Sequence, residues 1–230
     1  MIYDELLARI HHEGFGEFAE SAAPGLLEIL WRHGIASGLV VDAGCGSGIW
    51  ARELLRAGFH VFGFDASPSM IAIARTIAPA ARLEVARVDD VTLPRCVAIT
   101  AIGEILNYGD TDLADFFRRA HDALRDGGLL VFDLAEPSAL HAGDGRFEGD
   151  DWIVLTHKTV EGNTLTRRIT MYTPTGKSEE THVLRLHARD EVVAMLRDAG
   201  FKVRVRRSYG TRRLPPAHSV FVASIGLAIA

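Results

Sequence analysis

The residues with the clearest chemical use lie in one run, Asp42-Ala43-Gly44-Cys45-Gly46-Ser47-Gly48. Glycines at alternate positions let the chain turn tightly, approach a ligand without Cβ obstruction and feed into a helix N-terminus, which is how a nucleotide-like ligand is cradled. In the dinucleotide fingerprint the last glycine stands three residues after the second, so that backbone amides meet a pyrophosphate. Here Gly48 follows Gly46 at a shorter interval. Asp42 counts further against a pyrophosphate, because a carboxylate at the head of the loop repels it. A cationic ligand suits this loop better.

Further acids fall at the ends of apolar runs. His60-Val61-Phe62-Gly63-Phe64-Asp65 reads as a strand ending in an acid, and Leu83 to Val88 as another closed by Asp89-Asp90. With these in place, the run from Asp42 to Gly48 closely resembles the glycine motif of class I methyltransferases. Asp65, seventeen residues beyond Gly48, resembles their ribose-binding acid. The resemblance covers residues 38–135 best. It implies a Rossmann-like α/β fold and S-adenosyl-L-methionine as cofactor, whose sulfonium and ammonium groups tolerate a nearby carboxylate. It also implies a cofactor site drawn from Asp42, Gly44, Cys45, Gly46 and Gly48 of the loop. Asp65 is expected on the ribose, Ala66 and Met70 beside the adenine, Asp89, Asp90 and Val91 on its amino edge, and Ile102 at the end of the fourth strand.

The loop after that fourth strand, Gly103-Glu104-Ile105-Leu106-Asn107-Tyr108, is expected to line the acceptor site, since ligands of open α/β sheets lie at the carboxyl ends of the strands. It lacks the Asn/Asp-Pro-Pro-aromatic motif of nucleobase and amide methylation and holds no cysteine nucleophile. What remains resembles small-molecule methyltransferases acting on amines. A methyltransferase of protein or RNA, and a non-catalytic binder of the same cofactor, stand as alternatives. In-line methyl transfer depends mainly on positioning, and a base is needed when the acceptor arrives protonated. Glu104, Tyr108 and His182 are the candidate catalytic residues.

Two other clusters invite chemistry. His11-His12-Glu13 has no second ligand group nearby in sequence, and adjacent helical histidines point in different directions, so a lid role is expected, with Tyr3, His12 and Phe15 closing over the cofactor, and no metal. Lys202, Arg204 and Arg206 alternate along one strand without interleaved aromatics. A solvated sheet edge explains them and makes nucleic acid an unneeded partner.

The elements that must position these residues follow from periodicity. Leu39-Val40-Val41 precedes the glycine loop, and Trp50, Leu54 and Leu55 after it keep helical spacing. Ser67 and Pro68 cap the next helix; Asp110 or Thr111 is expected to cap one over Leu113 to Leu124, stopped by Gly127-Gly128 and followed by strand Leu129 to Phe132. Alternating strands and helices imply a mainly parallel, seven-stranded sheet with helices on both faces. From about Gly145 the alternation Trp152 to Val160, Leu165 to Tyr172 and Glu179 to Leu186 implies an antiparallel insertion, 145–187, over the active site. Residues 188–230 supply a helix from Arg189 to Ala199 and two final strands, Lys202 to Arg207 and His218 to Ile225. Residues 1–37 supply two lid helices, Tyr3 to His12 and Pro24 to His33. All of this fits one domain of 230 residues with 48% apolar content. A net charge of −5 gives no general pull toward nucleic acid or anionic lipid, and two cysteines without metal spacing fit a reducing, cytoplasmic setting. No signal peptide or membrane span is expected. Oligomeric state is unreadable.

Overall fold

The computed structural model describes residues 3–109, 111–137 and 142–226. Its helices are α1 (Glu5–Phe15), α2 (Glu17–Arg32), α3 (Ile49–Arg56), α4 (Pro68–Ile77), α5 (Leu113–Ala123) and α6 (Arg189–Asp198). Strands β1 (Leu39–Ala43), β2 (His60–Asp65), β3 (Arg82–Val85), β4 (Cys96–Ala101) and β5 (Leu124–Ala135) alternate with them. A run of strands follows: β6 (Gly143–Glu148), β7 (Ile153–Glu161), β8 (Thr164–Thr173) and β9 (Gly176–Arg185). After α6 come β10 (Lys202–Arg206), the short pair β11 (Ser208–Tyr209) and β12 (Arg212–Arg213), and β13 (His218–Ser224).

The main sheet runs β10-β13-β5-β4-β1-β2-β3, and β13 runs antiparallel to the strands on either side of it, β10 and β5. Its inner strands are apolar on both sides because both faces are covered. Val41, Phe62, Ile99, Phe132 and Phe221 pack against α5 and α6. Their sequence neighbours Val40, Val61, Ala98, Val131 and Val222 pack against α2 and α3. Strand order reverses between β1 and β4, so the crevice for a ligand opens at their carboxyl ends, where the glycine loop begins. The basic strand β10 is indeed an edge, while β13 lies inside the sheet.

The insertion forms its own antiparallel sheet, β6-β7-β8-β9. Its inner face, with Trp152, Val154, Ile169 and Met171, buries itself against Leu7 and Ile10 of α1. N-terminal helix and insertion therefore complete each other's core. Among the described residues no helix is long and apolar enough to cross a membrane.

Several boundaries differ from expectation. Helix α2 begins at Glu17 rather than at Pro24, because Ala22 and Ala23 continue its buried face and carry the proline into the interior. Strand β3 leaves the sheet after Val85, so Asp89 and Asp90 stand beyond it in a turn. Asp112, whose side chain accepts from the Asp115 amide at 3.0 Å, caps α5; Thr111 does not, and Asp110 lies outside the described residues. Helix α5 ends at Ala123, and Gly127-Gly128 fall inside the long strand β5. Strand β6, rich in glycine and charge, and the β11–β12 hairpin carry no apolar alternation and were not foreseen.

Candidate active site

The glycine loop leaves β1 with Gly44, Gly46 and Gly48 at φ values of 65°, 52° and 82°, a left-handed region that disfavours side chains. A Cβ on Gly44 would stand 2.5 Å from Ile105, so the loop and the segment after β4 touch across this glycine. The Gly46 amide donates to Asp65 Oδ2 at 3.0 Å, and the Ser67 amide donates to Asp65 Oδ1 at 2.8 Å. The acid at the end of β2 therefore fixes the loop from one side and the start of α4 from the other. Burial still pushes its carboxyl above the ordinary value despite these two bonds.

These residues open onto a cavity of about 760 Å³. Asp42, Gly44, Cys45, Gly46, Asp65, Ala66, Met70 and Ile102 all line it. Asp42 is enclosed: Thr100 Oγ1 lies 3.2 Å from its Oδ1, and its Oδ2 has no partner. Burial raises the Asp42 carboxyl to about 8, well above its usual 3.8. Burial likewise raises the Cys45 thiol, so it serves as packing and not as a nucleophile. The remaining cofactor candidates lie apart. Gly48 begins α3 and packs on Ala74, and Val91 sits in the core beside α5. Asp89 and Asp90 face Arg87 at 3.9 and 4.0 Å, while Ala86, Arg87 and Val88 form that wall of the cavity.

The donor set fits the cofactor that the sequence implies. A partnerless buried oxygen on Asp42 can meet a cationic tail, the open space over Gly46 admits a backbone approach, and Asp65 keeps lone pairs for sugar hydroxyls. Ala66 and Met70 offer an apolar wall for a base.

The other end of the cavity is built by the loop after β4. Gly103 and Glu104 both take positive φ, 87° and 64°, and their amides donate to Asp133 at 2.7 and 3.1 Å. Tyr209 donates its hydroxyl to the same carboxylate at 2.7 Å. Asn107 stitches the loop to the ends of β5 and β9 through Ala135 and Arg185. Tyr108 then bridges to Leu184 of β9, which sets its ring against His182.

Glu104, the first candidate base, is occupied otherwise. Arg167 donates to it at 3.2 Å and His218 Nε2 lies 2.7 Å away. His218 Nδ1 also faces the Pro216 carbonyl at 2.9 Å, so both ring nitrogens must donate. Burial opposes ionisation of Glu104, yet the His218 bond and the Arg167 charge hold its carboxyl at about 2. A carboxylate so weakly basic does not take protons near neutrality. It is the counter-charge of two cations. Because its value is depressed from 4.5, the stability it contributes is full above about 4.5 and lost as pH falls toward 2. Glu104→Gln is therefore expected to cost on the order of 3 kcal/mol at pH 7, a Tm loss of roughly 6–12 °C that shrinks on acidification. Thermal unfolding at several pH values measures it; an unchanged Tm would return Glu104 to the role of base.

In the N-terminal segment, Tyr3 just before α1 and Phe15 at its end line the cavity as expected. His11 joins them in place of His12, its ring 5.1 Å from Tyr3 and 5.8 Å from Phe15. Burial lowers His11 to about 4, which keeps it neutral. His12 instead meets Ser47 of the glycine loop at 3.0 Å. His182 does not reach the cavity; it lies wholly buried behind Tyr108. Arg167, Asp133 and His218 were missed because each arrives by strand register or loop path, without a local motif, while His11 was named only within the His11-His12-Glu13 cluster.

Residues 40–128 match the family model of a methyltransferase domain. A Geobacillus sp. (strain WCH70) protein bearing a methyltransferase name is 28% identical over 57% of this chain, and the match spans about half of that protein's length, 54%. The dTDP-3-amino-3,6-dideoxy-alpha-D-glucopyranose N,N-dimethyltransferase of Streptomyces fradiae is 27% identical, over 84% of this chain and 81% of that protein. An S-adenosylmethionine-dependent methyltransferase from Clostridium acetobutylicum ATCC 824 superposes with a TM-score of 0.82 at 15% identity, covering 95% and 97% of the two chains. S-adenosylmethionine-bound CalS10, an amino pentose methyltransferase from Micromonospora echinaspora, superposes with a TM-score of 0.74 at 22% identity, covering 97% and 98%. The chain shares the fold of these methyltransferases, and the methyltransferase-domain match falls on the glycine loop and the strands around it.

Proposed function

We propose that this methyltransferase acts on a small-molecule amine, with an amino sugar as the substrate class to try first. One observation carries the reading. The cavity that begins at the glycine loop continues beneath α1 and the second sheet to Tyr3, Tyr108 and Arg167, so an acceptor must fit under that cover. A folded protein or RNA would need an open face instead. The amino-sugar class rests on the Streptomyces fradiae relative and on CalS10. The basic residues Lys202, Arg204 and Arg206 do not line the cavity and serve no acceptor there.

S-adenosylmethionine supplies the methyl group as an electrophile on a positively charged sulfur. The chain's own part is to hold and to position. Asp65 and the glycine loop fix the nucleoside end, and Asp42 stands ready to balance a positive charge. The Arg167–Glu104–His218 group and the two tyrosines shape the acceptor end, where a nitrogen lone pair must be presented in line.

Incubation of the protein with methyl-labelled S-adenosylmethionine and either dTDP-3-amino-3,6-dideoxyglucose or a small-metabolite extract tests the reading. Label is expected on an amine nitrogen of a small molecule. Label appearing only in the protein or RNA fraction of a whole extract overturns it.

A further inference from the structure

Behind the cavity wall lies a chain of groups that positioning of a methyl donor does not require. The hydroxyls of Tyr3 and Tyr108 line the cavity and stand 3.4 Å apart. Tyr108 Oη lies 3.3 Å from His182 Nδ1, and His182 Nε2 lies 2.9 Å from Glu180 Oε2. Glu180 also accepts from the amides of Tyr3 and Asp4, each at 2.7 Å. Burial raises the Glu180 carboxyl, but the His182 bond and these two amides outweigh it and hold it below its ordinary value. Glu180 and His182 share the inner face of β9, where alternation places them side by side, and neither opens to bulk solvent.

This arrangement has a direction. An ionised carboxylate only accepts, so His182 Nε2 must carry the hydrogen. In the neutral ring Nδ1 then holds a lone pair aimed at Tyr108, whose hydroxyl must donate to it. Tyr108 in turn keeps its own lone pairs for the cavity side. The charged and titratable groups around the pair are Arg167, opposite His182 on β8, His11 from α1, and Glu104, already bound to Arg167. Tyr3 has the left-handed φ of 55° and is tied at three points, by Glu180 at its amide, Ser67 at its carbonyl and Tyr108 at its hydroxyl. Such strain in a non-glycine residue persists only where its surroundings fix it.

We propose that Tyr108, His182 and Glu180 form a proton relay that strips the acceptor's ammonium form, with Tyr3 as the second hydroxyl that holds the nitrogen in place. The N–H bond breaks and its electron pair stays on nitrogen as the attacking lone pair. The proton goes to Tyr108 oxygen while the Tyr108 O–H bond breaks and its proton passes to His182 Nδ1. Tyr108 ends neutral, and an imidazolium forms against the Glu180 carboxylate. Tyr108 is the catalytic residue, His182 the proton sink, and Glu180 a positioning residue that sets the tautomer. The relay rests on the amine reading given above.

The test has one arm that needs no acceptor. In full-length protein labelled with 15N-histidine, His182, assigned by its loss in His182→Gln, is expected as the Nε2–H tautomer near neutral pH. Tyr108→Phe should move its Nδ1 signal toward that of a bare lone pair, and Glu180→Gln should weaken the preference for the Nε2–H tautomer. An Nδ1–H tautomer, or an Nδ1 signal unmoved by Tyr108→Phe, overturns the relay. The second arm uses methyl transfer to dTDP-3-amino-3,6-dideoxyglucose. Tyr108→Phe and Glu180→Gln are expected to lower kcat roughly 100-fold near neutral pH with cofactor affinity kept, and to recover as rising pH deprotonates the amine in solution. A loss that is the same at every pH overturns the relay. Failure of the parent protein to methylate this acceptor overturns the amino-sugar reading alone, and the spectra still decide the relay.

Discussion

Replacing Asp65 with alanine is expected to weaken S-adenosylmethionine binding by on the order of 10² to 10⁴-fold. The carboxylate is asked to do two things at once. Its Oδ2 and Oδ1 hold the amides of Gly46 and Ser67, and in the proposed reading its remaining lone pairs accept from the sugar hydroxyls. A hydrogen bond to a charged group contributes about 1.5–3 kcal/mol, so loss of two ribose contacts alone removes about 3–6 kcal/mol. Loosening of the loop adds to that. The ligand-free fold loses the acceptor for the Gly46 and Ser67 amides, a cost that relief of the buried charge partly offsets. Asp65→Asn, which keeps shape and one acceptor oxygen, should fall between the two. Calorimetry with S-adenosylmethionine and with S-adenosylhomocysteine measures all three; an alanine variant that binds as tightly as the parent removes Asp65 from the cofactor site.

How far such a site is legible in sequence depends on how local its causes are. That the glycine loop, Asp65, Ala66 and Met70 meet at one cavity was readable because backbone conformation, strand end and helix cap impose residue types at fixed spacing within one βαβ unit. Asp89 and Asp90 misled for the same reason reversed. An acid after an apolar run looks like a strand end, but the exposed edge strand β3 stops at Val85 and the acids turn outward to Arg87. The acceptor end was legible only as a list of suspects. Glu104 and Tyr108 could be placed from the loop after β4, yet nothing in that loop announces that Glu104 is consumed by Arg167 and His218, which lie 63 and 114 residues further on. The β9 alternation did put Glu180 on the face of His182. Their joint use became visible only once Tyr108 was bridged to Leu184. Helix α2 shows the opposite limit, since a proline that usually opens a helix sits inside one when its flanks have a face to bury.

Asp42→Asn is expected to separate stability from binding. The folded protein holds Asp42 at about 8, against 3.8 ordinarily, so between those values the native chain keeps a proton that the unfolded chain has released. Stability of the ligand-free protein therefore falls as pH rises across that window. At pH 7 the asparagine variant, which carries no titrating proton, should be more stable by on the order of a few kcal/mol, a Tm gain of roughly 5–10 °C that disappears near pH 4. Binding must move the other way. A cationic ligand beside the partnerless Oδ2 favours the ionised form, so its arrival near neutrality expels the proton. The affinity of the parent should climb with pH until about 8 and then level, while that of the asparagine variant should be lower and flat. Titration calorimetry at pH 7 in two buffers of different ionisation heat counts the proton directly. A parent that releases none on binding S-adenosylmethionine, or an asparagine variant that matches its affinity, would show that Asp42 orders the loop without meeting the ligand's charge.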